Sequence, residues 1–463
     1  MAYSMKRRLP RPARIAFFAA LALAIAAAAL RLHPPELFRV GAQYGAKIVC
    51  SNVFLAGRDE QDVFAHDVQA PGNPLLRLMR VRVDRARGTV RTGAVGFRDI
   101  GLAVHRPGTG CAVVPDFDEA RAAVASFEPR PLPPPPAGEP WPAGSQAQPD
   151  ARLASVVADD RLAGPGLRAL LVVRDGHLVA ERYGSGFDRA TPLLGWSMTK
   201  TVTAALVGIA VADGRLRLDQ AGFWPPAGPG DERSRITIAD LLAMGSGLRF
   251  DEEYGTVSDV TRMLYLEPDA AAFAASQPLL HPPGTYWSYS TGGPVLLSRI
   301  LQQAVGPGAL AYPRERLFAP LGMSSAVLEA DARGTLVGGS YLYADAQDWA
   351  RFAQFLLQDG AWNGTRILPP DWVAMMRQPF PPSAGQYGRG AVWLQWSEGA
   401  SAQEAAAQQQ RLPPDTYWLR GHDGQFIAIV PSARVIVLRM GLTPARLHYR
   451  PQVLLDAVLQ ALR

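Results

Sequence analysis

The chain has 463 residues, enough for two or three domains of ordinary size, and its 48% hydrophobic and 19% charged content excludes general disorder. Its formal charge is +6, but residues 1–31 hold six cations (Lys6, Arg7, Arg8, Arg11, Arg14 and Arg31) and no acid, which leaves a body with 41 basic and 41 acidic residues. A neutral body lacks the electrostatic basis for nucleic-acid binding, and no nucleic-acid partner is expected.

Five of those cations precede an apolar run from Ile15 to Leu30, and Arg31 follows it. The run is short for a membrane span, which wants ~20 residues. It also fits a signal peptide, with alanines at 26–29 as a small-residue cleavage site. Residues 1–35 are therefore expected to be a signal peptide or an N-terminal membrane anchor. Either reading puts the body outside the cytoplasm, periplasmic or otherwise extracytoplasmic, with the membrane as a partner if the segment is retained. The chain's two cysteines, Cys50 and Cys111, then read as a disulfide.

Residues 75–83 and 89–97 alternate apolar and polar side chains around the turn-prone Asp84–Gly88, which predicts a hairpin in a small β-rich unit over 36–127. Residues 128–149, with four prolines at 133–136, read as an extended Pro-rich linker. Beyond it, Leu170–Arg174 and Leu178–Tyr183 flank Asp175-Gly176, a hairpin signal. Phe426–Val430 and Val435–Met440 flank Pro431-Ser432, and a helix is expected over Val453–Leu462. Strands near both ends with helices between them predict an α/β (α+β type) fold over 150–463. One antiparallel sheet is built from both termini and flanked by helices, and 197–360 adds a helical subdomain.

Gly195-Trp196-Ser197-Met198-Thr199-Lys200 opens a strongly helical run, with Met198, Val202, Ala205 or Leu206, and Ile209 on one face and Gly214 as the stop signal. Ser197 then lies at a helix N-terminus with Lys200 one turn later on the same side, close enough to touch. A serine hydroxyl needs a neighbour to take its proton, and a desolvated lysine can do so while arginine cannot. The choice of residue is informative, because the sequence has only three lysines (Lys6, Lys47 and Lys200) among its 47 cations. The backbone N–H groups at the helix start add support for a developing oxyanion.

Two further elements follow. The aromatic, hydroxyl-rich loop from Pro282 to Gly293 carries Tyr286, Trp287 and Tyr289, and Tyr289 could stand over the serine as a second acid or base. Gly421-His422-Asp423-Gly424-Gln425 opens the C-terminal strand pair, where Gly424 permits close backbone approach and the Gln425 N–H could complete an oxyanion hole. There is no metal-binding cysteine spacing, no His-Glu-x-x-His, no Gly-x-Ser-x-Gly and no phosphate-cradling loop, so neither cofactor nor metal is expected.

Together, Ser-x-x-Lys, Tyr-Ser-x after a Pro-Gly-Thr loop, and His-x-Gly on a late strand resemble the class C β-lactamase-like serine hydrolases. That group includes penicillin-binding carboxypeptidases, esterases and 6-aminohexanoate-dimer hydrolases. The resemblance covers about 165–460 and extends through Asp213-Gly214-Arg215-Leu216, Ile236-Thr237-Ile238 and Pro320-Leu321-Gly322-Met323. It implies that Ser197 is the acylated nucleophile, Lys200 its general base and Tyr289 a proton relay, with the Ser197 and Gln425 N–H groups as the oxyanion hole. His422, Gly424, Trp196, Tyr286 and Trp287 are the expected substrate-binding residues. Two departures stand out. Thr291 occupies the place of the family's asparagine, and His422 replaces the lysine of Lys-Thr-Gly, where an imidazole grips a substrate carboxylate less firmly than an ammonium. The expected activity is hydrolysis of a small ester or amide through an acyl-enzyme. The alternatives are a D-alanyl peptidase or β-lactamase and, from another class, a non-catalytic ligand-binding or sensing module.

Overall fold

The computed structural model describes residues 33–70, 72–94, 99–224, 231–396 and 409–463, together with positions 17, 18, 20, 21 and 407. Most of the expected signal or anchor segment lies outside these residues. Among the described residues no helix is long and apolar enough to cross a membrane.

The described chain opens with helix α1 (Glu36–Phe54), whose residues from Ala42 onward are buried on nearly every side. A four-stranded antiparallel sheet follows in sequential order: β1 (Met79–Asp84), β2 (Thr89–Ala94), β3 (Asp99–Arg106) and β4 (Gly110–Val113). The hairpin around Asp84–Gly88 is present, but its first strand starts at Met79. Residues 74–78 instead form a 3₁₀ turn started by Pro74, with the Asn73 side chain accepting from Leu75 N–H. The segment 36–127 is thus helix plus sheet rather than β alone. Cys50 of α1 and Cys111 of β4 are joined by a disulfide, with a Cα–Cα distance of 6.1 Å.

The segment 128–149 is docked on the body. Trp141 is only 1% exposed, and the buried guanidinium of Arg351 donates to Pro142 O at 3.0 Å and to Gly144 O at 2.7 Å. Gln148 N–H donates to Leu178 O at 2.8 Å. Proline content anticipated the extended backbone, whereas the docking depends on Arg351, two hundred residues away.

The central sheet is five-stranded and antiparallel. It is built from β5 (Leu167–Arg174), β6 (His177–Tyr183), β7 (Tyr417–Gly421), β8 (Gln425–Val430) and β9 (Val435–Gly441), in the order β7–β8–β9–β5–β6. The β5–β6 turn places Asp175 at φ 50° and Gly176 at φ 80°, the backbone that a two-residue hairpin of this hand requires. Side chains alternate between two cores. Leu171, Val173, Ile427, Ile429 and Leu438 face one, and Leu170, Val172, Phe426, Ala428 and Val437 face the other. The first core is covered by α2 (Thr199–Ala212), α3 (Gly292–Val305) and α4 (Ala346–Leu357); the second by α5 (Pro451–Ala461). The sheet is therefore sandwiched between helices.

The first core is continuous from Val40 and Ile48 of α1 to Leu438 of β9, so the N-terminal residues share the body's interior. Two ion pairs, one fully and one largely buried, cross the same boundary. Arg168 meets Asp67 at 2.6 Å, and Lys47 meets Glu329, whose carboxylate also accepts from Ser51 Oγ at 2.8 Å and Cys111 N–H at 2.7 Å. The lysine that the sequence kept at position 47 belongs to this internal clip.

Candidate active site

The nucleophile candidate stands on a tight elbow. Gly195 N–H bonds Leu342 O at 3.0 Å, Trp196 takes a left-handed φ of 49°, and residues 196–198 make a single 3₁₀ turn before α2. Position 195 admits no side chain, since a Cβ there would lie 2.1 Å from the Trp349 ring. Left-handed backbone at a tryptophan is uncommon, and here it is held by packing on both sides. The turn puts Ser197 and Lys200 on one face.

Lys200 is 2% exposed, and its Nζ donates to Ser197 Oγ at 2.8 Å, Thr291 Oγ1 at 2.9 Å and Gly339 O at 2.9 Å. Burial pulls its pKa down to about 8, opposed by the charge of Glu252. Thr291 is the N-cap residue of α3, yet its hydroxyl donates to Glu252 Oε1 while its N–H donates to Glu252 Oε2 at 2.8 Å. Burial pushes the Glu252 carboxyl upward, and Lys200 and Thr291 pull it back. A relay of donors thus runs from Lys200 through Thr291 to Glu252.

Aromatic rings enclose this core. Lys200 Nζ lies 4.9 Å from the Tyr289 ring centroid, and Tyr289 packs on Trp393 at 5.1 Å and Tyr387 at 6.0 Å. Trp287 packs against the same two rings, behind Tyr289. Opposite them, the β7–β8 turn reverses through Asp423 at φ 58° and Gly424 at φ 73°, pairing Gln425 with Gly421. Gly421 abuts the elbow so closely that a Cβ there would lie 2.5 Å from Gly195 O. The His422 ring packs on Trp196 at 5.6 Å and Tyr254 at 4.8 Å.

Residues 158–444, more than half of the chain, match the family model described as Beta-lactamase. The chain belongs to the beta-lactamase family. The match spans just over half the length of its curated relatives. An uncharacterized protein of Mycobacterium tuberculosis (strain CDC 1551 / Oshkosh) is 32% identical over 39% of this chain and 57% of its own length. Penicillin-binding protein 4 of Amycolatopsis lactamdurans is 32% identical over 39% of this chain and 55% of its own. Among solved structures, a 6-aminohexanoate-dimer hydrolase homologue from Bacillus anthracis superposes with a TM-score of 0.54 at 20% identity, covering 67% of this chain and 80% of that one. A β-lactamase homologue from Bacteroides dorei DSM 17855 gives 0.53 at 22% identity over 68% and 99%. These structures share the fold: an antiparallel sheet flanked by helices.

Of the expected residues, Ser197, Lys200 and Tyr289 stand together; His422 packs on Trp196 in the turn that holds Gly424 and Gln425, and Trp287 packs on the rings beside Tyr289. Tyr286 is placed apart from them, 49% exposed and stacked on His281 at 4.0 Å. Glu252 was not foreseen from the sequence. It lies in Asp251-Glu252-Glu253, which has no helical or strand period, and it meets Thr291 from 39 residues away. The replacement of asparagine by threonine was the available signal, because a shorter side chain leaves room for a third group. Among the described residues no cluster of three His, Cys, Asp or Glu side chains could hold a metal ion.

Proposed function

We propose that the protein is a serine hydrolase that acts on a small ester or amide through an acyl-enzyme on Ser197. The observation that carries this reading is the buried Lys200 amine, 2.8 Å from Ser197 Oγ, with its pKa lowered to about 8. As an ammonium, Nζ has a proton for each of its three acceptors. Once neutral, it keeps Thr291 Oγ1 and Gly339 O as acceptors and turns its lone pair toward Ser197. The amine then takes the hydroxyl proton as Oγ attacks the substrate carbonyl carbon. The resulting oxyanion is assigned to the Ser197 and Gln425 N–H groups. Collapse breaks the bond to the leaving group, which receives the proton from Lys200 with Tyr289 as relay. Water repeats the sequence to free Ser197. His422, Gly424 and Trp196 border the substrate.

Intact-protein mass spectrometry with a slow ester tests this reading. The expected result is an acyl adduct on the wild-type chain that is absent in Ser197→Ala; an adduct that persists in the variant overturns the assignment. Similarity to a penicillin-binding protein supports a second reading, a D-alanyl peptidase or β-lactamase. His422 in place of lysine weighs against it, and parallel assays with nitrocefin and p-nitrophenyl esters separate the two. A serine-reactive phosphonate that labels the chain excludes the non-catalytic sensing module. Finally, we place the body outside the cytoplasm, a reading supported by the basic apolar leader and the Cys50–Cys111 bond.

A further inference from the structure

A cavity of about 250 Å³ opens beside the elbow, and one of its two walls comes from residues outside the family match. The body supplies Trp196, Tyr254 and His422 at its inner end. Trp196 is the neighbour of the nucleophile, and Tyr254 reaches toward Glu252 Oε1 at 3.5 Å. The opposite wall is Leu37 and Val40 of α1 with Leu76 from the turn before β1 and Met79 at the start of β1. This wall is fixed in place: α1 is tied to the body through Lys47–Glu329, and Tyr44, also lining the cavity, packs on Tyr265 at 5.7 Å. The lining is mostly aliphatic on one side and aromatic on the other, and its non-aromatic polar side chains are Asn73, Thr261 and, at the β7–β8 turn, Asp423 beside His422.

We infer that this cavity is a subsite for an unbranched aliphatic chain of the substrate, and that the N-terminal residues thereby set chain-length preference. The inference rests on the acyl-enzyme reading above. An apolar cavity of about 150 Å³ holds benzene, so this one has room for a chain of roughly six to ten carbons. A charged or strongly hydrated group would gain no ionic partner from Leu37, Val40, Leu76 or Met79 and would lose its water. An aliphatic chain loses nothing of that kind and gains burial on every methylene. The chain belongs to either the acyl group or the alcohol of the ester, and the two sources differ only in which side of the scissile bond faces Trp196.

Two ester series test it: p-nitrophenyl esters from acetate to octanoate, and acetates of alcohols from methanol to octanol. In one series kcat/KM is expected to rise about fourfold per methylene, levelling when the cavity is full. The series that rises identifies the side. Leu37→Trp and Val40→Phe fill the cavity from its α1 wall, and each should cut the ratio of long-chain to acetate kcat/KM by about tenfold or more. Leu37 is only half-buried, which keeps that variant foldable. A flat profile in both series, or a rise that both variants retain, overturns the inference. If the wild-type protein turns over no ester at all, the ester branch of the acyl-enzyme reading fails and the cavity is judged by binding alone. Calorimetry of 1-octanol on Ser197→Ala should then show uptake with a negative heat-capacity change that Leu37→Trp abolishes. Octanol binding that is absent, or unaffected by Leu37→Trp, refutes the subsite.

Discussion

Glu252→Gln perturbs the site where its chemistry is most sensitive, through a single charge. Thr291 Oγ1 accepts from Lys200 Nζ at 2.9 Å and donates to Glu252 Oε1, so carboxylate and ammonium stand about one hydroxyl apart. At a separation of about 5 Å and an effective dielectric of about 20, their attraction is ~3 kcal/mol, or about two decades in the proton affinity of the amine. The sign follows from the charges. The carboxylate favours the ammonium and holds the lysine pKa up against burial, which leaves it at about 8. In the proposed mechanism the neutral amine is the acting base, so wild-type kcat/KM should rise with pH through about 8 and then level. Glutamine keeps one of the two oxygens that accept from Thr291 but removes the charge, and burial then pulls the amine further down. The rising limb should move toward lower pH by about one to two pH units. The plateau should fall at the same time, because a weaker base takes the serine proton less readily. The assay is kcat/KM on p-nitrophenyl acetate from about pH 5 to pH 10, corrected for spontaneous hydrolysis. A limb that stays at its wild-type position would refute the charge coupling of Glu252 to Lys200.

Lys200→Arg should lose about 10²–10⁴-fold in kcat, measured on protein shown to be folded by circular dichroism, because a guanidinium does not accept the serine proton; near-normal turnover would remove Lys200 from the base role. Lys47→Met strands the Glu329 carboxylate in the interior and should cost about 3–5 kcal/mol by urea unfolding, with part of that loss recovered when Glu329→Gln is added. Thiol titration of the denatured, non-reduced chain should find almost no free cysteine, and reduction should remove ~4 kcal/mol of stability for a bridge spanning 61 residues. Two titrating thiols would dismiss the bridge and with it part of the case for export.

The parts of the fold that were legible in sequence are those specified locally. Asp175-Gly176 dictates a turn by backbone alone, and the strands beside it follow from alternation. The Ser197–Lys200 pair is legible for the same reason, since a helical spacing of three fixes their proximity. Helix α1 was not foreseen, because burial on all sides erases the polar face that marks a helix in sequence. Its glycines, Gly41 and Gly45, lower helix propensity further, although Gly41 lies where a Cβ would come 3.0 Å from Leu76. Glu252 and the docking of 128–149 share a different cause. Each is defined by a partner far along the chain, and neither carries a periodic or local signal. In the docked segment the one available clue was Trp141, an isolated large aromatic in a stretch otherwise read as solvated.

The boundary-crossing ion pairs bear on what the smallest folding unit of this protein is. A chain cut back to the family-matching residues would keep Glu329 without Lys47 and Arg168 without Asp67, and Arg351 would lose two of its carbonyl acceptors. The same cut would uncover the first core where Val40, Ile48, Val49 and Val63 close it, and each exposed apolar Å² costs ~25 cal/mol. The described residues ahead of the family match are therefore part of the scaffold. The protein should melt as one cooperative body, and any swap of its N-terminal third for that of a relative would need the matching acids and bases transplanted with it.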